Sequence, residues 1–236
     1  MIRRTLDPTF LNSVANHPEV RPDIGGDVND PVDLTPHVEN LANIALEADG
    51  GGWLLRNLSP GLYDLHTLFL PAARGKSYFR QAREALRLVF TQYDVVEIST
   101  WCPDVNAPAG MAAGLMGFRE WFRRERAWEG DTGISYRILT LDDWLGRDQE
   151  LPKLGLKIHH LLGGEGLPME SGQGRALAAA VMMIRGGQVE KGLAYYERCG
   201  RVGGLIPVFM SPPRLLHVGN AILDLGTDEI EVLRGG

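Results

Sequence analysis

The sequence predicts an α/β fold: a mixed, mostly antiparallel sheet flanked by helices, with a small C-terminal helical hairpin plus strands. Three observations predict it. Residues 38–70 hold three apolar runs, VENLANIALEA, GGWLLRNL and GLYDLHTLFL, separated by the turn signals DGGG and SPG. Residues 77–92 then change to helical spacing. Tyr78, Phe79, Ala82, Ala85, Leu86, Val89 and Phe90 fall on one side, with Arg80, Arg83, Glu84 and Arg87 on the other. Residues 175–202 read as two helices broken at Gly186-Gly187.

Taken in order, TFLNSVAN (9–16) reads as a short helix, started by Asp7 and Pro8 and stopped at His17-Pro18. A polar connector rich in Pro and Gly runs to about Pro36. The three runs at 38–48, 51–58 and 61–70 make an antiparallel meander, and the helix of 77–92 lies on it. DVVEIST (94–100) returns as a strand of β-branched residues, NAPAGMAAGLMG (106–117) is a short helix of small residues, and 118–128 and 133–141 alternate as two strands.

After residue 145 the character changes. This divides the chain into a domain of residues 1–145 and a C-terminal α+β extension of residues 146–236. LGLKIHHLL reads as a short helix or buried turn and GGEGLPMESGQG as a loop. The αα-hairpin spans about 174–202, and LIPVFM, RLLHVGN, AILDL and EIEVL supply terminal strands. One hairpin cannot bury its own face, so it has to pack on the first domain or on a partner.

The composition excludes several function classes. A net charge of −6 over 236 residues argues against general nucleic-acid binding, which needs a basic surface to neutralise phosphates. The two arginines of MIRRTLDPTFLN precede no apolar run, so no secretory signal is expected. The longest apolar run, Ala176 to Ile184, is nine residues, about half of a membrane span. The expected location is the cytoplasm. Cys102 and Cys199 stand apart without a CxxC pair, and are expected as reduced thiols.

Residues 9–141 resemble the GNAT family of N-acetyltransferases. The match rests on the strand ending FLPAARG before an amphipathic helix, on EIST leading to a proline, and on Asn106-Ala-Pro-Ala109 followed by Gly117-Phe118 and two closing strands. FLNSVANHPEVRPDIG and YDLHTLFLPAARG give it the texture of the GNAT-like proteins of tailed bacteriophages. The resemblance implies an acetyl-CoA site in which Arg74, Gly75, Lys76, Ser77 and Asn106 bind cofactor, with glycines letting backbone N–H groups approach a pyrophosphate at a helix start. His66, on the preceding strand, is the candidate base.

The chain departs from the family pattern R/Q-x-x-G-x-G/A at two positions: Ser77 replaces the first glycine, and Phe79 stands where Gly or Ala is usual. The helical spacing of Phe79 with Ala82 and Leu86 predicts that it joins the core. Ala113 occupies the position where many members carry a tyrosine that protonates the leaving thiolate. Two functions follow. One is a bacteriophage virion or assembly protein with a degenerate site and no cofactor, partnered by virion subunits or copies of itself in the host cytoplasm or the virion. The other is an acetyl-CoA-dependent N-acetyltransferase acting on a host protein or a small-molecule amine.

Four further features carry less. His159-His160 with Glu165 are poorly spaced for one ion, because adjacent side chains point apart, and no metal is expected. Gly172-Gln173-Gly174-Arg175 reads as a helix-entry turn, although a helix start can also hold an anion. Arg119, Arg123, Arg124 and Arg126, interrupted by Glu120 and Glu125, read as a solvated strand face. Trp121, Phe122 and Trp128 beside them would mark a contact surface if exposed.

Overall fold

The computed structural model describes residues 2–128, 131–147, 172–199, 208–212, 214–218, 221–227 and 230–232. The chain divides into two compact units, Met1–Phe90 with Val95–Trp144, and Thr91–Asp94 with Leu145–Gly236.

The first unit is built on strands β1 (Arg3–Arg4), β2 (Ile44–Ala48), β3 (Gly51–Ser59), β4 (Leu62–Phe69), β5 (Glu97–Pro103), β6 (Arg119–Trp128) and β7 (Thr132–Thr140). They form one sheet in the order β1-β2-β3-β4-β5-β7-β6. Only the β4–β5 pair is parallel, so the sheet is mixed and mostly antiparallel, as the sequence predicts. Helices α1 (Thr9–Ala15) and α2 (Thr35–Val38) cover one face. Leu11 and Val38 pack there with Ala45 and Leu54, and Val14 and Ala15 with Leu68. Helix α3 (Lys76–Gln92) covers the other face, where Tyr78 meets Trp53 and Phe69, residues that alternate with Leu54 and Leu68 along their strands. Its Ala82, Ala85, Leu86, Val89 and Phe90 are buried, and each large side chain among them is worth about 1.5–3 kcal/mol of burial. Helices α4 (Ala107–Met116) and α5 (Leu141–Leu145) complete the unit.

Several boundaries differ from the sequence expectation. Val38, the first residue of the run read at 38–48, is the last of α2, whose first turn holds Pro36 where the missing N–H costs nothing. Asn40 and Asn43 then fold the chain through side-chain bonds to Ala42 N and the His37 carbonyl before β2 starts at Ile44. In DGGG only Gly50 (φ +78°) makes the turn, while Gly51 and Gly52 already pair within β3. The strand read at 94–100 sits at 97–103, because Val96 N and Glu97 N are both taken by the Gly61 carbonyl. The two-residue β1, held to β2 partly by Arg3 and Glu47, has no counterpart in the sequence expectation. The polar connector is not loose. The buried Arg21 donates to the carbonyls of Gly25, Asp27 and Asp30, and the Asn12 and Asn16 amides bind Leu34 and Val32 backbone.

The second unit holds α6 (Gly172–Arg185) and α7 (Val189–Cys199), joined through Gly186 and Gly187 as expected, and a sheet ordered β11-β10-β9-β8. Its strands are β8 (Val208–Ser211), β9 (Leu215–Val218), β10 (Ala221–Asp224) and β11 (Ile230–Val232). Leu177, Val181, Ile184 and Tyr196 pack with Leu216 and Leu223 in its core. Lys191 donates to the Tyr93 carbonyl at 2.8 Å, and burial pulls its ammonium down to about 8. Among the described residues no helix is long and apolar enough to cross a membrane.

Candidate active site

The one parallel pair in the first unit is also the place where its sheet opens. β4 and β5 are in register only at Leu62/Glu97, Tyr63/Ile98 and Asp64/Ser99. Beyond these pairs β4 continues bonded to β3 and β5 continues bonded to β7, so each strand turns an unpaired backbone edge to the other. The last bridge is a side chain: Thr100 Oγ1 donates to the Leu65 carbonyl at 3.0 Å. A cavity of about 590 Å³ fills the opening, walled by the far ends of both strands, the start of α3 and the α4 side. That size and its mostly apolar wall suit a small-molecule or cofactor site.

At one end of the cavity lies the loop Arg74-Gly75 and the first turn of α3. Gly75 has φ +94°, and a Cβ there would meet nothing within 4 Å, so the glycine serves conformation in an open space. Arg74 Nε donates to the Phe69 carbonyl at 3.2 Å, and its Nη2 lies 3.7 Å from Asp23. Lys76 and Ser77 are exposed, and the first turn carries no acidic residue. The positive end of the helix and two cations thus face solvent together. Phe79 departs from expectation. It is half-buried and lines the cavity, edge-on to Tyr78 at 5.3 Å, while the buried stripe of α3 begins at Ala82. The cavity leaves open space on one side of its ring. Burial pushes the neighbouring Tyr78 hydroxyl up.

His66 also lines the cavity. Its Nε2 is buried and lies 3.0 Å from Asp64 Oδ2. Arg56, directly across the β3–β4 ladder from Asp64, donates to the same oxygen at 2.9 Å. Burial pushes the Asp64 carboxyl up, but the His66 and Arg56 contacts outweigh it and hold the group below its ordinary value of 3.8. The unfolded chain therefore takes up this proton first as the pH falls. The stability Asp64 contributes is present above about pH 4 and lost below it. Thermal melts from pH 6 to 3 should show a steeper acid decline for the native chain than for Asp64→Asn.

Asn106 lines the cavity too, but its side chain is committed to capping α4 by accepting from Ala109 N at 3.2 Å. Ala113 is on the wall with no proton to give. Cys102 is a free thiol in the wall, pushed up by burial, and Cys199 is also free. Asp64 and Arg56 were missed as site residues. The signal for them was the 64/66 alternation on β4 and the register around the Ser59-Pro60-Gly61 turn, which sets Arg56 opposite Asp64.

Elsewhere, β6 is an edge strand with Trp121 65% exposed and Phe122 37% exposed. Its arginines are largely answered: Arg119 by Asp143, Arg123 by Asp104, and Arg124 lies over the Phe122 and Tyr136 rings. His159, His160 and Glu165 lie outside the described residues, among which no group of His, Cys, Asp or Glu could hold a metal. Arg175, in the first turn of α6, donates to the Leu145 carbonyl.

No family model and no curated protein matches the chain. Solved structures do. Spermidine N-acetyltransferase from Vibrio cholerae, in complex with CoA and spermine, is 16% identical with a TM-score of 0.52, over 61% of this chain and 97% of that one. YncA from Salmonella typhimurium, with its cofactor acetyl-CoA, is 15% identical with a TM-score of 0.50, over 60% and 94%. At such identities the likeness is one of fold, and the fold is that of the GNAT acetyltransferases.

Proposed function

We propose that the chain binds acetyl-CoA in the opening between β4 and β5 and transfers the acetyl group to a primary amine. The observation that carries this reading is the cavity itself, which stays open beside Phe79 and reaches from Gly75 to His66. Gly75, Arg74 and Lys76 at the start of α3 suit a pyrophosphate, and the two unpaired strand edges suit the amides of the cofactor's arm. The cofactor supplies an activated acetyl group: the amide N–C bond forms as the thioester C–S bond breaks, the thiol leaves protonated, and one ammonium proton passes to solvent. His66, 3.0 Å from Asp64, takes that proton.

Calorimetry with acetyl-CoA is the direct test, with micromolar binding expected and no heat at millimolar cofactor overturning the reading. Gly75→Ala sharpens it. No atom obstructs the new methyl, so stability should fall only by the left-handed backbone cost of about 1 kcal/mol. Affinity should drop about tenfold or more as the phosphate-facing N–H groups turn away, which parallel melts and titrations measure.

The second reading, a bacteriophage virion or assembly component, is favoured by the exposed Trp121 and Phe122 on an edge strand and by Ala113 at the acid position. A protein partner, another virion subunit or a second copy, would cover that edge. On this reading purified particles contain the chain at fixed stoichiometry by mass spectrometry; its absence from them would count against it.

A further inference from the structure

We infer that the acceptor is a small amino acid, its carboxylate held by Arg56 and its amine presented to His66. This rests on the acetyl-transfer reading above and concerns the other half of the same site. Arg56 and His66 both line the cavity, and both reach the same Asp64 oxygen, at 2.9 and 3.0 Å. Their free edges are therefore neighbours, a spacing that an amine and a carboxylate one or two carbons apart can span. Arg56 spends only Nη2 on Asp64, and its side chain is 39% exposed while that of Asp64 is 9% exposed. The carboxylate is thus used up inward, and the guanidinium keeps donors that pair with a planar carboxylate in two parallel bonds.

The rest of the wall on this side agrees. Val20, Ile24 and Leu34 are apolar, and His37 adds a ring. The remaining acid there, Asp23, already faces Arg74. A polycationic acceptor needs several carboxylates, and among the described residues this wall offers Asp23 alone; a compact zwitterion finds one cation for its anion and one base for its amine.

The experiment measures thiol release from acetyl-CoA with a panel of acceptors at equal concentration: glycine, β-alanine, glutamate, the corresponding amides, and spermidine. Calorimetry on the same protein first establishes whether acetyl-CoA binds. The expected result is kcat/KM for amino acids at least tenfold above that for their amides. Arg56→Lys, which keeps a cation beside Asp64 but removes the fork, should raise KM for amino acids about tenfold and so narrow their preference over the amides. Amides or spermidine used as well as amino acids, or no amino acid acetylated by a chain that binds acetyl-CoA, would overturn the inference and leave the cofactor reading standing. No acetyl-CoA binding would overturn both.

Discussion

His66→Gln is expected to lower kcat/KM for acetyl transfer by about 10²–10⁴-fold while leaving acetyl-CoA affinity unchanged. The size follows from what a positioned base contributes to proton transfer. Glutamine keeps the length and the polar tip but cannot take a proton. The direction follows from the packing. The His66 side chain is 32% exposed and stands in the cavity wall, so the change removes chemistry without opening a hole in the core. Melts of the variant should therefore stay close to those of the native chain, with steady-state thiol release carrying the whole effect. A variant within threefold of native activity would show that solvent removes the amine proton and that His66 only lines the wall. Asp64→Asn provides the companion measurement. It removes the carboxylate that contacts the ring, and a smaller loss than that of His66→Gln fits a residue acting through its neighbour.

Much of the fold was legible because it is written in short periods. The stripe of α3 from Ala82 to Phe90 needs only local spacing to be seen, and the hairpin broken at Gly186-Gly187 needs only its glycines. What stayed hidden depends on pairing between distant segments. That β4 and β5 part after Asp64 and Ser99 is decided by partners 35 residues apart in sequence, and no local pattern marks it. The same separation hid the open space that leaves Phe79 on a wall instead of in a core. Arg56 sits opposite Asp64 only once the β3–β4 register is known. α2 is hidden for a different reason: Thr35-Pro36 is a helix-start signal, but the helix is only four residues long and runs straight into an apolar, strand-like stretch.

Gly51→Ala is expected to cost about 3 kcal/mol or more, at the upper end of overpacking effects. The glycines of DGGG look alike in sequence and differ in what surrounds them. A Cβ on Gly51 would run into the Leu68 carbonyl oxygen, the Phe69 Cα and the base of its ring. Two of those three are backbone atoms fixed by the β3–β4 ladder, so no rotamer change makes room. The small gain from stiffening the unfolded chain, about 0.4–1 kcal/mol, does not offset this. For a chain of this size the melting temperature should fall by roughly 6–12 °C, and calorimetry or circular dichroism would read it. The damage should also reach the site. Gly51 pairs with Phe69, the last residue of β4 and part of the cavity wall, so acetyl-CoA affinity should fall along with stability. Gly75→Ala is the control: it places the same methyl in empty space and tests the loop alone. If Gly51→Ala melts within about 2 °C of the native chain, β3 and β4 can slide apart at this end, and the cavity wall is softer than its ladder implies.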